Sequence, residues 1–310
     1  MKKQLLVLLL LIGLVAKLQG QSEKTVTVTT VSGTLEGTLQ IPGKNEKMPV
    51  ALIIAGSGPT DRNGNNPMMT NNSLKMLALQ LSQEGIASLR YDKRGVGNSR
   101  GAGLKEAEMR FEHFIEDAKA WIHFLKKENA FTQIVVIGHS EGSLVGMIAA
   151  QHAKADRYIS IAGSGRPAGQ LIREQMQAQP PVVREQALPV LDKLEKGDTV
   201  ESTPPMLQAL FRPGIQPYLI SWFKYDPQKE IAKLAMPTLI LQGTTDIQVS
   251  TKDAEALSQA NPQAKLSLIE GMNHVLKEAP QERMQNLQTY NQPDLPLKQE
   301  VVEEIANFVN

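Results

Sequence analysis

Six short runs of apolar residues, rich in Val and Ile, fall at 50–55, 86–91, 134–138, 158–162, 238–242 and 265–269, with helix-like stretches between them. Runs that are apolar on successive residues, not alternate ones, suit strands covered on both faces. Runs of this kind separated by helices fold as a parallel sheet joined by right-handed crossovers. Residues 111–127 carry the helical pattern most clearly, with Phe111, Phe114, Ile115, Ala118, Trp121, Ile122 and Leu125 at three-and-four spacing. Residues 25–41 alternate Thr and Val about Gly33 and Gly37, which predicts an antiparallel hairpin on one sheet edge. The expected class is α/β, a mostly parallel sheet with an N-terminal antiparallel hairpin.

The rhythm stops between 164 and 234, where the composition shifts to Gln, Pro and Glu around amphipathic pieces at 171–177 and 182–194. This predicts a helical cap inserted between two strands. Pro180, Pro181, Pro189, Pro204, Pro205, Pro213, Pro217 and Pro227 are expected to chop it into short helices, since an interior Pro loses a hydrogen bond and clashes with the preceding turn. The chain then divides into a leader at 1–20, a first core part at 21–163, the cap at 164–234 and a second core part at 235–310.

The leader has Lys2 and Lys3 ahead of an apolar run from Leu5 to Ile12 that continues to Ala16, with Gly20 offering a small residue for cleavage. A run of about 12 apolar residues is short of the ~20 that span a bilayer, so the expectation is a secretory signal and a secreted or periplasmic protein. No stable membrane span is expected after its removal. The sequence has no Cys, which excludes disulfides, thiolate metal sites and a Cys nucleophile. Packing must supply the stability, and about 290 residues can bury roughly three quarters of the unfolded chain's surface. Formal net charge is +1 with no basic block, so nucleic acid is not an expected partner. The five histidines, His113, His123, His139, His152 and His274, lack metal-ligand spacing, and neither a metal nor a cofactor is expected.

The run at 134–137 leads straight into Gly138-His139-Ser140-Glu141-Gly142, and a helical pattern follows. Gly-x-Ser-x-Gly between strand and helix makes a turn so sharp that its flanking residues must lack side chains, leaving the serine hydroxyl exposed at the sheet edge. Ser140 is the candidate nucleophile. A serine hydroxyl needs an imidazole to take its proton, and the imidazole needs an acid to hold its tautomer. Asp246, in Gly243-Thr244-Thr245-Asp246-Ile247-Gln248-Val249, and His274, in Gly271-Met272-Asn273-His274, each follow their own strand at that same edge. The order Ser, Asp, His is that of the α/β-hydrolases.

With these motifs and Tyr91-Asp92-Lys93-Arg94-Gly95-Val96-Gly97-Asn98-Ser99, the chain resembles an α/β-hydrolase of the serine carboxylesterase or S33-aminopeptidase-like type from about residue 25 onward. The resemblance implies a triad of Ser140, Asp246 and His274, with 164–234 as the lid. Acyl chemistry also needs donors for the developing oxyanion. One is expected to be the Glu141 N–H. The other lies in Ala55-Gly56-Ser57-Gly58-Pro59-Thr60, where aligning the glycine selects Ser57 and leaves Gly58 as the alternative.

Other residues have plainer expectations. Asp92 and Arg94 are read as a paired structural turn, His113, His123 and His152 as surface or boundary residues, and His139 as pointing away from the reacting face, with shaping the pocket as its other role. Asp226 and Asp253 are the rival acids. The stretch 61–66 either lines the pocket or forms a solvated turn, and Trp222, Phe223 and Tyr225 either pack the cap or touch substrate. Met68, Met69 and Met76 are read as loop or gap-filling residues. The leading function is hydrolysis of a small-molecule ester through an acyl-enzyme. The alternatives are an aminopeptidase or short-peptide hydrolase on the same triad, which a polar anchor for an amino terminus such as Glu141 or an acid of the cap would favour, and a non-catalytic ligand-binding protein.

Overall fold

The structure is a computed structural model that describes residues 21–43 and 46–310. The leader read at 1–20 lies outside the described residues. Chain order is β1 (Ser22–Thr30), β2 (Gly33–Ile41), β3 (Met48–Ile54), α1 (Ser73–Gln83), β4 (Ala87–Tyr91), α2 (Phe111–Lys127), β5 (Phe131–His139), α3 (Glu141–His152) and β6 (Arg157–Ile161). After an insertion, β7 (Thr238–Gly243), α9 (Thr251–Ala260), β8 (Lys265–Ile269), α10 (Arg283–Gln288) and α11 (Gln299–Val309) complete the chain. The strands form one eight-stranded sheet in the order β1-β2-β4-β3-β5-β6-β7-β8. The hairpin β1-β2 is antiparallel and joins β4 antiparallel, and every pairing from β4 to β8 is parallel.

Alternation along β3 explains its unbroken apolar run. Val50, Leu52 and Ile54 face one core, and Ala51, Ile53 and Ala55 face the other. On the first side α2 and α3 contribute Phe111, Ile115, Trp121, Leu125, Val145 and Ile148. On the second, α1 and α11 contribute Leu74, Leu77, Leu81, Val301, Val302 and Ile305. The run at 265–269 differs, because β8 is the sheet's last strand. Its Leu268 is exposed and only Ile269 is buried.

The insertion between β6 and β7 comprises α4 (Ala168–Gln177), α5 (Pro181–Glu195), α6 (Gln208–Phe211), α7 (Gln216–Phe223) and α8 (Pro227–Ile231). Pro181, Pro217 and Pro227 sit in the first turns of their helices, where a missing N–H breaks no bond. Pro189 departs from expectation, since it lies inside α5 without ending it. Burial of Ala187, Val190, Leu191 and Leu194 on one face of that helix offsets the roughly 3 kcal/mol an interior Pro costs. No helix among the described residues is long and apolar enough to cross a membrane.

Candidate active site

β5 ends at His139 and α3 begins at Glu141, so the whole reversal falls on Ser140, which adopts φ +55° and ψ −122°. A non-glycine residue there carries about 1–3 kcal/mol of strain. Its surroundings hold it: the Ser140 N–H donates to Ile161 O at 2.9 Å and its carbonyl accepts from Ser143 N at 2.9 Å. A Cβ on Gly138 would lie 2.2 Å from Gly142 O, and one on Gly142 would lie 2.4 Å from Ile54 O. Both flanking glycines are therefore steric requirements, as the motif predicts. The loop after β3 presses on the same point, with the Cβ position of Gly56 only 3.1 Å from Ser140 Cβ.

Two further loops meet beside it. Thr244 N donates to Ile269 O at 3.0 Å, Thr245 N to Met272 O at 3.2 Å and Gly271 N to Thr244 Oγ1 at 2.9 Å, which stitches the loop after β7 to the loop after β8. A Cβ on Gly243 would sit 1.9 Å from Met272 O, so the two loops touch through backbone. In this frame His274 Nδ1 lies 2.8 Å from Asp246 Oδ2, with both side chains buried. Asp246 Oδ1 accepts Gln248 N at 2.7 Å and Val249 N at 3.0 Å, and Gln242 Nε2 reaches Oδ2 at 3.1 Å. Burial would raise the Asp246 carboxyl, but the His274 imidazole and these backbone donors outweigh it and hold it below the ordinary carboxylate range. No hydrogen bond joins the Ser140 hydroxyl to His274 among the described residues.

His139 does not turn away from this site. Its Nε2 hydrogen-bonds His274 O at 2.8 Å and its ring centroid lies 4.9 Å from that of His274. Burial and the neighbouring His274 push it down to about 4, so it is neutral at physiological pH. Asp226 caps α8 through Gln228 N, and Asp253 is buried against Arg166 and the start of α9, which removes both rival acids from the site. Asp92 and Arg94 do not pair with each other. Asp92 binds Arg62 at 2.7 Å and Arg94 binds Asp117 at 2.5 Å, so each is neutralised by a partner distant in sequence. The stretch 61–66 forms its own turn, with Asp61 Oδ1 accepting Asn63 N and Asn65 N, and Arg62 is drawn to Asp92 and Glu36, away from Ser140. His113 accepts from Arg110 N at the start of α2, and His123 and His152 are exposed.

Ser57 and Glu141 flank a small cavity of about 150 Å³ that includes Ser140. Both also line a larger one of about 760 Å³ beneath the insertion, walled by Phe114, Leu171, Ile172, Leu210, Leu219 and Trp222. Glu141 opens α3, and the first N–H groups of a helix have no acceptor within it. The Ser57 N–H finds no acceptor among the described residues. Gly58 has φ +70° with open space about its Cβ position. Trp222 stacks on Phe111 at 5.8 Å and also walls both cavities, so it packs the insertion and faces the site together. Two residues here escaped the sequence reading. Tyr218 donates to Glu141 Oε2 at 2.8 Å, and Lys93 is buried with its ammonium on Gly56 O. The signal for Lys93 was three charged residues in a row after a buried strand, Asp92, Lys93 and Arg94, each needing a partner. Among the described residues no three His, Asp or Glu side chains gather as a metal would require.

A family model described as serine aminopeptidase, S33, matches residues 70–204. Esterase EstD of Thermotoga maritima is 28% identical over 260 residues, 80% of this chain and 59% of its own length, so the chain spans about three fifths of that relative. Est1E from Butyrivibrio proteoclasticus, solved with ferulic acid bound, superposes with a TM-score of 0.61 at 20% identity, covering 92% of this chain and 98% of its own. The α/β hydrolase GrgF from Penicillium sp. sh18 gives 0.61 at 18% identity over 93% and 98%. The Pyrococcus furiosus esterase Pf2001 gives 0.58 at 16% over 93% and 90%. These structural likenesses establish the fold.

Proposed function

We propose that this chain, which has the α/β-hydrolase fold, cleaves carboxylic esters through an acyl-enzyme on Ser140. The observation that carries this reading is a serine in a strained elbow at the sheet edge where His274 is already hydrogen-bonded to Asp246. The Ser140 hydroxyl attacks the ester carbonyl while His274 Nε2 takes its proton. Asp246 accepts the Nδ1–H, fixes the tautomer and stabilises the imidazolium. The tetrahedral oxyanion receives the N–H groups of Glu141 and Ser57, each worth about 3–4 kcal/mol in the transition state. Collapse breaks the carbon–oxygen bond, and His274 returns the proton to the leaving alcohol. Water, activated by the same imidazole, then releases the acid. Catalytic hydrogen bonds are often long before substrate arrives, so the serine–histidine contact forms in the complex.

Ester hydrolysis is favoured over the aminopeptidase reading by the state of Glu141. Its carboxylate is buried, accepts from Tyr218 and faces the charge of Lys93, which offsets part of its pull on a substrate ammonium. The insertion at 164–234 acts as the lid, and its apolar cavity takes the ester's hydrocarbon part. The leader at 1–20 would place the enzyme in the periplasm or medium, which N-terminal sequencing of exported protein tests. The main test is labelling by a fluorophosphonate and hydrolysis of p-nitrophenyl acetate. Ser140→Ala is expected to abolish labelling and lower kcat at least about 10³-fold. Retained activity would mean another nucleophile. Activity on aminoacyl anilides exceeding that on esters would favour the peptidase.

A further inference from the structure

We propose that Lys93 is a positioning residue that locks the Gly56–Ser57 peptide so that the Ser57 N–H faces the oxyanion. The inference rests on the Ser140 reading above. Strands β3 and β4 are parallel neighbours, with Ile53 beside Arg90. Continuing that register three residues on, two past each strand end, sets residue 93 beside residue 56. There the Lys93 ammonium donates to Gly56 O. A peptide unit is planar and trans, so its C=O and N–H point in opposite directions. Holding the Gly56 carbonyl on Lys93 therefore turns the Ser57 N–H the other way, toward the cavity shared by Ser57, Ser140 and Glu141.

Little else fixes this peptide. Gly56 has no Cβ to restrain it, and although Thr60 Oγ1 donates to Ser57 O at 2.8 Å, that bond holds the next peptide unit and leaves the Gly56–Ser57 unit to Lys93. Lys93 itself is held firmly. It is 3% exposed, and its ammonium lies 5.4 Å from the centroid of the Phe114 ring. Burial pushes its ammonium below the ordinary lysine range, and the Glu141 carboxylate opposes that shift. An amine donates to a carbonyl whether or not it carries the extra proton, so the lock holds in both states. Through Glu141 the lysine also neighbours the residue supplying the other oxyanion donor. One buried cation thus touches one donor loop and balances the side chain of the second.

The test is Lys93→Met, which keeps the length and apolar packing under Phe114 and removes the donor. The expected result is a kcat on p-nitrophenyl acetate lowered about 10²-fold, the loss typical of one oxyanion donor, with KM within about threefold and no fall in Tm. Lys93→Arg, which keeps charge and donors and has the adjoining cavity to expand into, should recover kcat to within about tenfold of wild type. A raised KM with unchanged kcat would make Lys93 only a wall of the substrate cavity and overturn the proposal. So would equal loss in both variants. Absence of esterase activity in the wild type would instead strike the Ser140 reading. A structure of the wild-type chain phosphonylated on Ser140 decides the matter without any variant. The phosphoryl oxygen should take the Ser57 N–H with Lys93 still on Gly56 O, and a released Lys93 or a reversed peptide would overturn the lock.

Discussion

The rim of loops at the sheet edge and the helical insertion above it are built by different physics. At the rim, backbone meets backbone. Gly138, Gly142 and Gly243 admit no side chain, and the loops carrying Asp246 and His274 are stitched by main-chain bonds. In the insertion, side chain meets side chain. Its α7 docks through Tyr218 and Trp222 on Phe111 and Phe114, while Arg173 and Arg212 tie its outer faces with partly exposed ion pairs. A backbone-defined rim tolerates almost no substitution, whereas side-chain packing can be exchanged piece by piece. On the function proposed above, the chemistry would sit on the rigid part and the choice of substrate on the replaceable one.

The largest effect should come from placing the same substitution in each region. Gly138→Ala meets backbone at 2.2 Å and is expected to cost about 4 kcal/mol or more, or to yield no folded protein in urea titrations. Gly214→Ala, in the insertion, meets only the end of the Glu106 side chain, which can swing aside, so a change within about 1 kcal/mol is expected. Similar losses at both sites would erase the contrast.

A middle-sized effect concerns acid. His139 is held neutral down to about 4 when folded, against an ordinary value of 6.5. Between those values the unfolded chain binds a proton that the folded chain refuses, so stability falls as pH drops from about 6.5 toward 4, by about 2–3 kcal/mol. Below that range Asp246, depressed in the fold, adds its own loss as it protonates. His139→Asn should flatten the slope of unfolding free energy between pH 6.5 and 4, and an unchanged slope would assign the acid sensitivity elsewhere.

The smallest effect should fall on specificity. Trp222→Ala removes a wall of both cavities and is expected to shift kcat/KM for long-chain against acetyl esters about tenfold, worth about 1.4 kcal/mol. A uniform loss across all chain lengths would mean that Trp222 serves packing alone.

Much of the frame was legible in advance. The runs at 50–55 and 134–138 became β3 and β5, because burial on both faces leaves a continuous apolar signature. The helix at 111–127 matched residue for residue. The elbow was equally readable, since Gly138, Ser140 and Gly142 restrict one another within five residues. Pro189 was misjudged because tertiary burial of α5 outweighs a local propensity. Lys93 and Tyr218 were missed because a lone buried polar residue carries no periodic mark, and its partner is far away in sequence.

By itself, the order of residues determined which segments become strands and helices, where the chain must turn back on a serine, and in what sequence the acid and the imidazole follow. Those features depend on sterics and burial within a few residues. Only the tertiary structure decided that Asp92 meets Arg62 and Arg94 meets Asp117, that His139 packs on His274, and that Lys93 reaches Gly56. Each of these contacts depends on which strands lie side by side, and the sheet order β4-β3-β5 is not the order of the chain.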